Sequence, residues 1–201
     1  MSQTDIADHQ TTSVVLAGVG GQGILLASEI LAKAAMAAGF DVKTNEVHGM
    51  AQRGGSVVAQ VRYGRKVHSP LVPEGEARVL GTLEQIEAIR FAHYLAPAGT
   101  AVVSTQAIVP VTVSSGQAVY PKDAPDRLRA IFPKLVLVDA DALAKEAGTI
   151  KAANVVVLGA ISAALDLPLE AWHKAIEQSV KPQHLALNIK AFAAGRACAV
   201  A

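Results

Sequence analysis

The stretch Ser13-Val14-Val15-Leu16-Ala17-Gly18-Val19-Gly20-Gly21-Gln22-Gly23-Ile24-Leu25-Leu26 decides the fold. Ser13 to Val19 is apolar and rich in β-branched residues, which reads as a buried strand ending in glycines. Ile24 to Ala38 is rich in Ala and Leu and stops at Gly39, which reads as a helix. Asp41 to Val47 reads as a second strand. A strand, a glycine loop, a helix and a strand in this order predict a parallel sheet.

Outward from that unit, His48 to Gly55 is a glycine-rich connection and Ser56 to Tyr63 alternates as a strand does. Gly64-Arg65 signals a turn, with Lys66 to Ser69 as the return strand of a hairpin. Pro70 to Gly75 reads as a loop, Ala77 to Leu83 as a strand, Glu84 to Tyr94 as an amphipathic helix and Thr100 to Thr105 as a strand. Val109 to Val119 reads as a second hairpin around Ser114-Ser115-Gly116. A short helix over Pro125 to Ile131 and a buried strand over Leu135 to Val138 follow, leading into Asp139-Ala140-Asp141. The remainder reads as helices over Ala142 to Ala147, Asn154 to Leu165, Leu169 to Ser179 and His184 to Ala197. Pro168 and Pro182 fall near two helix starts, where proline is tolerated. No repeat or linker interrupts the pattern, so residues 13–201 are expected to form a single domain after a flexible, polar N-terminus, 1–12.

Composition limits the function classes. The 201 residues are 51% hydrophobic but only 17% charged and 4% aromatic, so a buried core is expected rather than disorder. Lys plus Arg is 18 and Asp plus Glu is 17, a net charge of +1, which gives no bulk attraction to nucleic acid. Val155 to Leu165, the longest apolar run, falls short of the ~20 residues that span a bilayer. The first residues lack the basic and apolar regions of a signal peptide. The expectation is a cytoplasmic protein without membrane or nucleic-acid partners. Cys198 is the only cysteine, so this chain by itself holds neither a disulfide nor a four-thiolate iron–sulfur cluster.

Gly18, Gly20 and Gly23 match G-x-G-x-x-G between a strand and a helix. Such glycines allow a tight turn and let backbone approach a ligand, and the helix N-terminus that follows favours phosphate. Gly21 removes a further side chain, and Gln22 adds an amide able to donate and accept. A dinucleotide enzyme also needs an acid about 20 residues on, at the end of the second strand, and Glu46 lies near that place. The alternative is a loop that only packs helix against strand.

Glu46-Val47-His48-Gly49-Met50-Ala51-Gln52-Arg53-Gly54-Gly55-Ser56 is the second informative stretch. It is expected at the carboxyl edge of the sheet, where ligands of open α/β sheets bind. It gathers a carboxylate, an imidazole, an amide and a guanidinium within eight positions. Arg53 suits two-pronged recognition of phosphate or carboxylate, and Gly54 and Gly55 let backbone come close. The plainer readings are a Glu46–His48 pair, Met50 as core filler and Arg53 as a surface charge.

With these residues in hand, the chain resembles the gamma-type domain of 2-oxoacid:ferredoxin oxidoreductases, and within it the small subunits of the indolepyruvate branch. The likeness is carried by Gly18 to Gly23, Glu46 to Val57, Ser69 to Gly75, Leu83 to Arg90, Asn154 to Ser162, and Leu187 to Phe192 with Gly195. It runs from about Val14 to Gly195, nearly the whole chain.

The resemblance implies an α/β, Rossmann-like, mostly parallel sheet with β-hairpin additions and a helical C-terminal third. It implies a non-autonomous small subunit that aids oxidative decarboxylation of a 2-oxoacid, indolepyruvate or another arylpyruvate, to an acyl-CoA. Thiamine diphosphate, magnesium and iron–sulfur clusters would lie on a large alpha subunit carrying thiamine and ferredoxin-type domains, with ferredoxin reached indirectly. This sequence has no Gly-Asp-Gly stretch followed by Asn for a diphosphate–magnesium site. It also carries Ala77-Arg78 where the family often has Ala-Asp.

By analogy, Gly18, Gly20, Gly21, Gln22 and Gly23 face coenzyme A or the partner, beside Glu46, His48, Gly49, Met50, Gln52, Arg53, Gly54, Gly55 and Ser56. Asn154 is a helix cap or a further contact. No residue is assigned a catalytic step or a metal. Asp141 is expected to cap a helix. His93, His173 and His184 are expected to be structural or exposed, and Cys198 is no nucleophile. The isolated chain is expected to be inactive and to form a homodimer that covers its partner-facing surface. Two rival readings stand beside this one: a free-standing dinucleotide oxidoreductase and a pure assembly module without a ligand.

Overall fold

The computed structural model describes residues 11–49, 54–109, 113, 116 and 119–200. Its elements in chain order are β1 (Thr12–Val19), α1 (Ile24–Ala37), β2 (Asp41–His48), β3 (Ser56–Gly64), β4 (Ala77–Thr82), α2 (Gln85–Arg90) and β5 (Leu95–Ser104). There follow α3 (Ala124–Ile131), β6 (Leu135–Val138), α4 (Ala140–Ala147), α5 (Ala153–Ser162), α6 (Leu169–Ser179) and α7 (Leu185–Val200). Short 3-10 turns cover Ala92–Tyr94, Ile150–Ala152 and Pro182–His184.

The strands form one sheet in the order β2-β3-β1-β4-β5-β6. β1, β4, β5 and β6 are parallel neighbours, whereas β3 runs antiparallel to both β1 and β2. The mostly parallel α/β sheet expected from the sequence is present, with one correction. β2 does not lie beside β1, because β3 is inserted between them. The physical reason is burial. β2 carries Asp41, Lys43, Asn45 and Glu46 and is largely exposed, as an edge strand can be. Val57 to Val61 of β3 is fully buried and belongs in the interior.

Three other expectations change. Lys66 to Ser69 forms no return strand; Val67 N–H donates instead to Asp41 Oδ2 at 2.9 Å, anchoring an irregular segment. The expected helix over Glu84 to Tyr94 ends at Arg90 and becomes a 3-10 turn. Asp139, not Asp141, caps α4, its carboxylate accepting from Ala142 N–H at 3.0 Å. The hairpin expected at Val109 to Val119 falls mostly outside the described residues.

The strand period of two sorts the core into two layers. Val14 and Leu16 of β1 face α1 and the C-terminal helices, with Ile30, Leu158, Trp172 and Phe192. Val15 and Ala17 face α2 and α3, with Ala88, Leu128 and Phe132. α5 is apolar on all sides, with every residue from Asn154 to Ser162 buried between the sheet and α7. Gly159 and Gly195 allow this closeness. A Cβ on Gly159 would overlap the Phe192 carbonyl oxygen, and one on Gly195 would overlap that of Val156.

Tyr63 on β3 is buried against Phe40, with ring centroids 5.3 Å apart. Burial pushes its phenol from the ordinary 10.0 up to about 12, against a smaller opposing effect of a hydrogen bond with Thr12. The fold therefore favours the neutral phenol. That contribution is complete below the unfolded value and is lost as pH rises from 10.0 to about 12. Denaturant titrations across this window should show stability falling with pH, and Tyr63→Phe should flatten the fall.

Candidate functional site

β1 delivers the chain to the carboxyl edge of the sheet at Val19, and the glycine loop turns there into α1. The turn closes through Gln22 N–H donating to Val19 C=O at 3.1 Å. The Gln22 side chain folds back into the loop. Its Oε1 accepts from Val19 N–H at 2.6 Å, and its Nε2 donates to Leu83 C=O at 2.7 Å and to Gln106 Oε1 at 2.6 Å. Gln106 Nε2 in turn donates to Asp141 Oδ2 at 3.1 Å. The loop is thus tied to the ends of β4 and β5 and to the start of α4. A Cβ on Gly18 would meet Gln22 Oε1 at 2.8 Å, so Gly18 makes room for this network.

Gly23 occupies the cap position of α1 with φ 82° and ψ 29°, the left-handed region that suits glycine. Its carbonyl accepts from Asn154 Nδ2 at 3.1 Å, and a Cβ there would lie 2.6 Å from that nitrogen. Asn154, 4% exposed, also accepts from Val155 N–H through Oδ1 at 3.0 Å. It braces the loop from behind rather than capping α5, whose cap is Ala152.

The second glycine motif meets the first through backbone. Gly20 N–H donates to Gly55 C=O at 2.8 Å, and Gly54 N–H donates to Gly20 C=O at 3.3 Å. The sequence expectation that the two motifs adjoin therefore holds. The contact comes from the entry into β3, not from the end of β2. A cavity of about 410 Å³ opens beside them, lined by Gly20, Gly21, Gly23, Leu25, His48 and Val57. The N-terminal end of α1 forms one wall. No described side chain caps that end, and its first turn holds no acid, so its partial positive charge is available on the cavity side. Gly21, at φ 102° with no atom within 4 Å of its would-be Cβ, keeps the mouth open.

His48 is exposed on the cavity wall, its Nδ1 only 3.4 Å from Gly49 C=O. Glu46 is directed elsewhere, accepting from Ser28 Oγ of α1 at 2.8 Å. It sits one strand away from β1, so the carboxylate that a dinucleotide site would place beside its glycine loop is displaced. Met50, Gln52 and Arg53 lie outside the described residues.

A second hollow of about 310 Å³ adjoins Gly54, Ser56, Glu84, Glu87, Arg90 and Tyr120. Glu84 is 2% exposed and accepts from Ile86 and Glu87 N–H at 2.6 and 3.0 Å, from Ile108 N–H at 3.3 Å and from Tyr120 Oη at 2.6 Å. Burial, and then the Glu84 carboxylate, hold the Tyr120 phenol well above its usual range, so it remains a neutral donor. Glu87 accepts from Ser56 Oγ and from Arg90 Nε, the latter at 3.0 Å. Ser56, expected to face a ligand, is tied by this bond to α2.

Sequence reasoning missed Gln106, Glu84 and Glu87. An acid just before an apolar helix was a legible capping signal for Glu84. Nothing local marked Gln106, whose partner Gln22 is 84 residues away. Among the described residues no group of three or more His, Cys, Asp or Glu is placed to hold a metal ion. No described helix is long and apolar enough to cross a membrane. Cys198 is exposed.

The family profile described as pyruvate ferredoxin/flavodoxin oxidoreductase matches residues 13–198. Indolepyruvate oxidoreductase subunit IorB of Thermococcus kodakarensis is 43% identical over 190 residues, covering 91% of this chain and 93% of that protein. The gamma subunit of a keto/oxoacid ferredoxin oxidoreductase from Geobacter sulfurreducens superimposes with a TM-score of 0.70 at 25% identity, over 94% of this chain and 98% of that one. A 2-oxoglutarate:ferredoxin oxidoreductase from Magnetococcus marinus, solved with 2-oxoglutarate, coenzyme A and succinyl-CoA, shares the fold with a TM-score of 0.72 at 20% identity. The match covers 96% of this chain and 32% of that longer one.

Proposed function

The chain belongs to the pyruvate ferredoxin/flavodoxin oxidoreductase family, and from that premise we propose that it is the small subunit of a 2-oxoacid:ferredoxin oxidoreductase acting on indolepyruvate or other arylpyruvates. The observation that carries this reading is the pairing of the two glycine motifs. Gly20 and Gly54–Gly55 are locked backbone to backbone beside an open cavity at the carboxyl edge of the sheet. The match to the indolepyruvate subunit over most of both chains supports the substrate class.

The chemistry divides between two subunits. One cysteine in 201 residues does not fit an iron–sulfur cluster, so the electron relay is assigned to a large alpha subunit. Thiamine diphosphate with its magnesium is assigned to the same partner, and ferredoxin is reached through it. This chain contributes a wall. Bare glycine backbone at Gly20 and Gly21, with the uncapped end of α1, suits the phosphates of coenzyme A, a contact worth about 0.3–2 kcal/mol from the helix end alone. Coenzyme A, when bound, supplies the thiol that accepts the acyl group. The chain's own residues position its phosphates and exclude water. Arg53, adjacent in sequence to Gly54, is the nearest guanidinium to this wall along the chain.

The test is the reconstituted two-subunit complex with Arg53→Ala. The half-saturating coenzyme A concentration should rise about tenfold, or the affinity between subunits should fall, since a charge-assisted contact is worth ~1.5–3 kcal/mol. Unchanged values of both would remove Arg53 from the site.

A further inference from the structure

A third cavity shares no lining residue with the glycine-loop cleft. It measures about 540 Å³ and is bounded by α1, the turn into α5, the end of α6 and the start of α7. Its size falls within the ~300–1,000 Å³ of small-molecule sites.

The lining has a distinct chemistry. Leu26, Val180 and Leu187 give an apolar floor, and Lys151, Lys181 and His184 supply positive or ionisable nitrogen at the rim. No Asp or Glu lines it. Among the described residues neither Lys151 nor Lys181 forms an ion pair. Thr149 and Ser179 also line it; the Thr149 hydroxyl accepts from Lys151 N–H at 3.4 Å, and that of Ser179 accepts from Lys33 Nζ at 3.0 Å and donates to Glu29 Oε1 at 3.4 Å. Asn188 is held by donating to His184 C=O at 2.8 Å, which fixes the start of α7. Three cationic or ionisable groups drawn from two separate segments, with no carboxylate among the lining residues and the neighbouring Glu29 paired to Lys33, describe a site for an anion. The apolar floor calls for a body attached to that anion.

We propose that this cavity binds a small organic anion, with one phosphate or carboxylate head held by Lys151 and Lys181 and an apolar body against Leu26, Val180 and Leu187. The site is separate from the glycine-loop cleft, yet Asn154 joins them. It lines this cavity while its Nδ2 holds the carbonyl of Gly23, which lines the other. An occupant therefore sits against the brace of the loop.

The experiment is calorimetric titration of the full chain with phenyl phosphate, phenylacetate and inorganic phosphate. At least one phenyl-bearing anion should saturate, and inorganic phosphate should bind more weakly for want of a body. Which head binds better identifies the natural class. Lys151→Gln with Lys181→Gln, both exposed positions, should weaken that binding roughly tenfold or more, whereas Gly21→Val at the cleft should leave it intact. Absence of saturable binding would overturn the proposal. So would binding that survives the lysine substitutions or disappears with Gly21→Val, because the anion would then lie at the glycine loop.

Discussion

Gly195→Ala is expected to destabilise the protein by about 3 kcal/mol, near the top of the range for overpacked cores. One methyl group has this effect because its neighbour is backbone. The added Cβ would overlap the Val156 carbonyl oxygen of α5, and carbonyl groups inside a helix cannot rotate away. α5 is itself pressed on the sheet, where a Cβ on Gly81 would in turn overlap Ile161. The helix therefore has nowhere to retreat. Gly159→Ala, facing the Phe192 carbonyl oxygen across the same contact, should behave alike. The two together should be less than additive, since either one already separates the helices. Denaturant unfolding gives the comparison directly. Cys198→Ala, exposed on the same helix, should change stability by less than ~0.5 kcal/mol.

Gly21→Val in the assembled complex is expected to reduce 2-oxoacid-dependent, coenzyme A-dependent turnover by about 10²-fold, the scale of loss that follows a misplaced reactant. Gly21 has φ 102°, and its would-be Cβ points into empty space at the cleft mouth. A branched side chain there fills the approach and strains the turn. The strain is local, costing ~1–2 kcal/mol, so the subunit should still fold. The discriminating readout is an anaerobic viologen-reduction assay alongside circular dichroism. Lost turnover with an intact fold places the loop at the reaction, and unchanged turnover would show that the loop face does not meet the substrate path.

Much of this was legible because local chemistry and tertiary role agree. The apolar run of β1, the glycines and the Ala/Leu-rich α1 specify a strand, a tight turn and a packed helix without outside help. The failures share one cause. Asp41 to Val47 reads as a strand and lies within one, β2, but its neighbour is decided by burial of Val57 to Val61, a contest between segments that no single segment reveals. The continuous polar run Lys43-Thr44-Asn45-Glu46 of β2 was the available sign of an edge. At the site, adjacency of the two glycine motifs could be read from their place at the sheet edge. The Gln22–Gln106–Asp141 chain could not, because it joins residues far apart in sequence through exchangeable amide groups. Asn154 looked like a cap because it opens an apolar helix. Its work is on Gly23, 131 residues earlier.

The account rests on a division of labour between this chain and a large subunit, and one assay reaches it directly. The purified chain alone, and the chain co-expressed with the candidate large subunit, are each supplied anaerobically with indolepyruvate, coenzyme A and oxidised viologen. The account predicts no substrate-dependent viologen reduction by the lone chain and robust reduction by the pair. Turnover of the 2-oxoacid by the lone chain would contradict it.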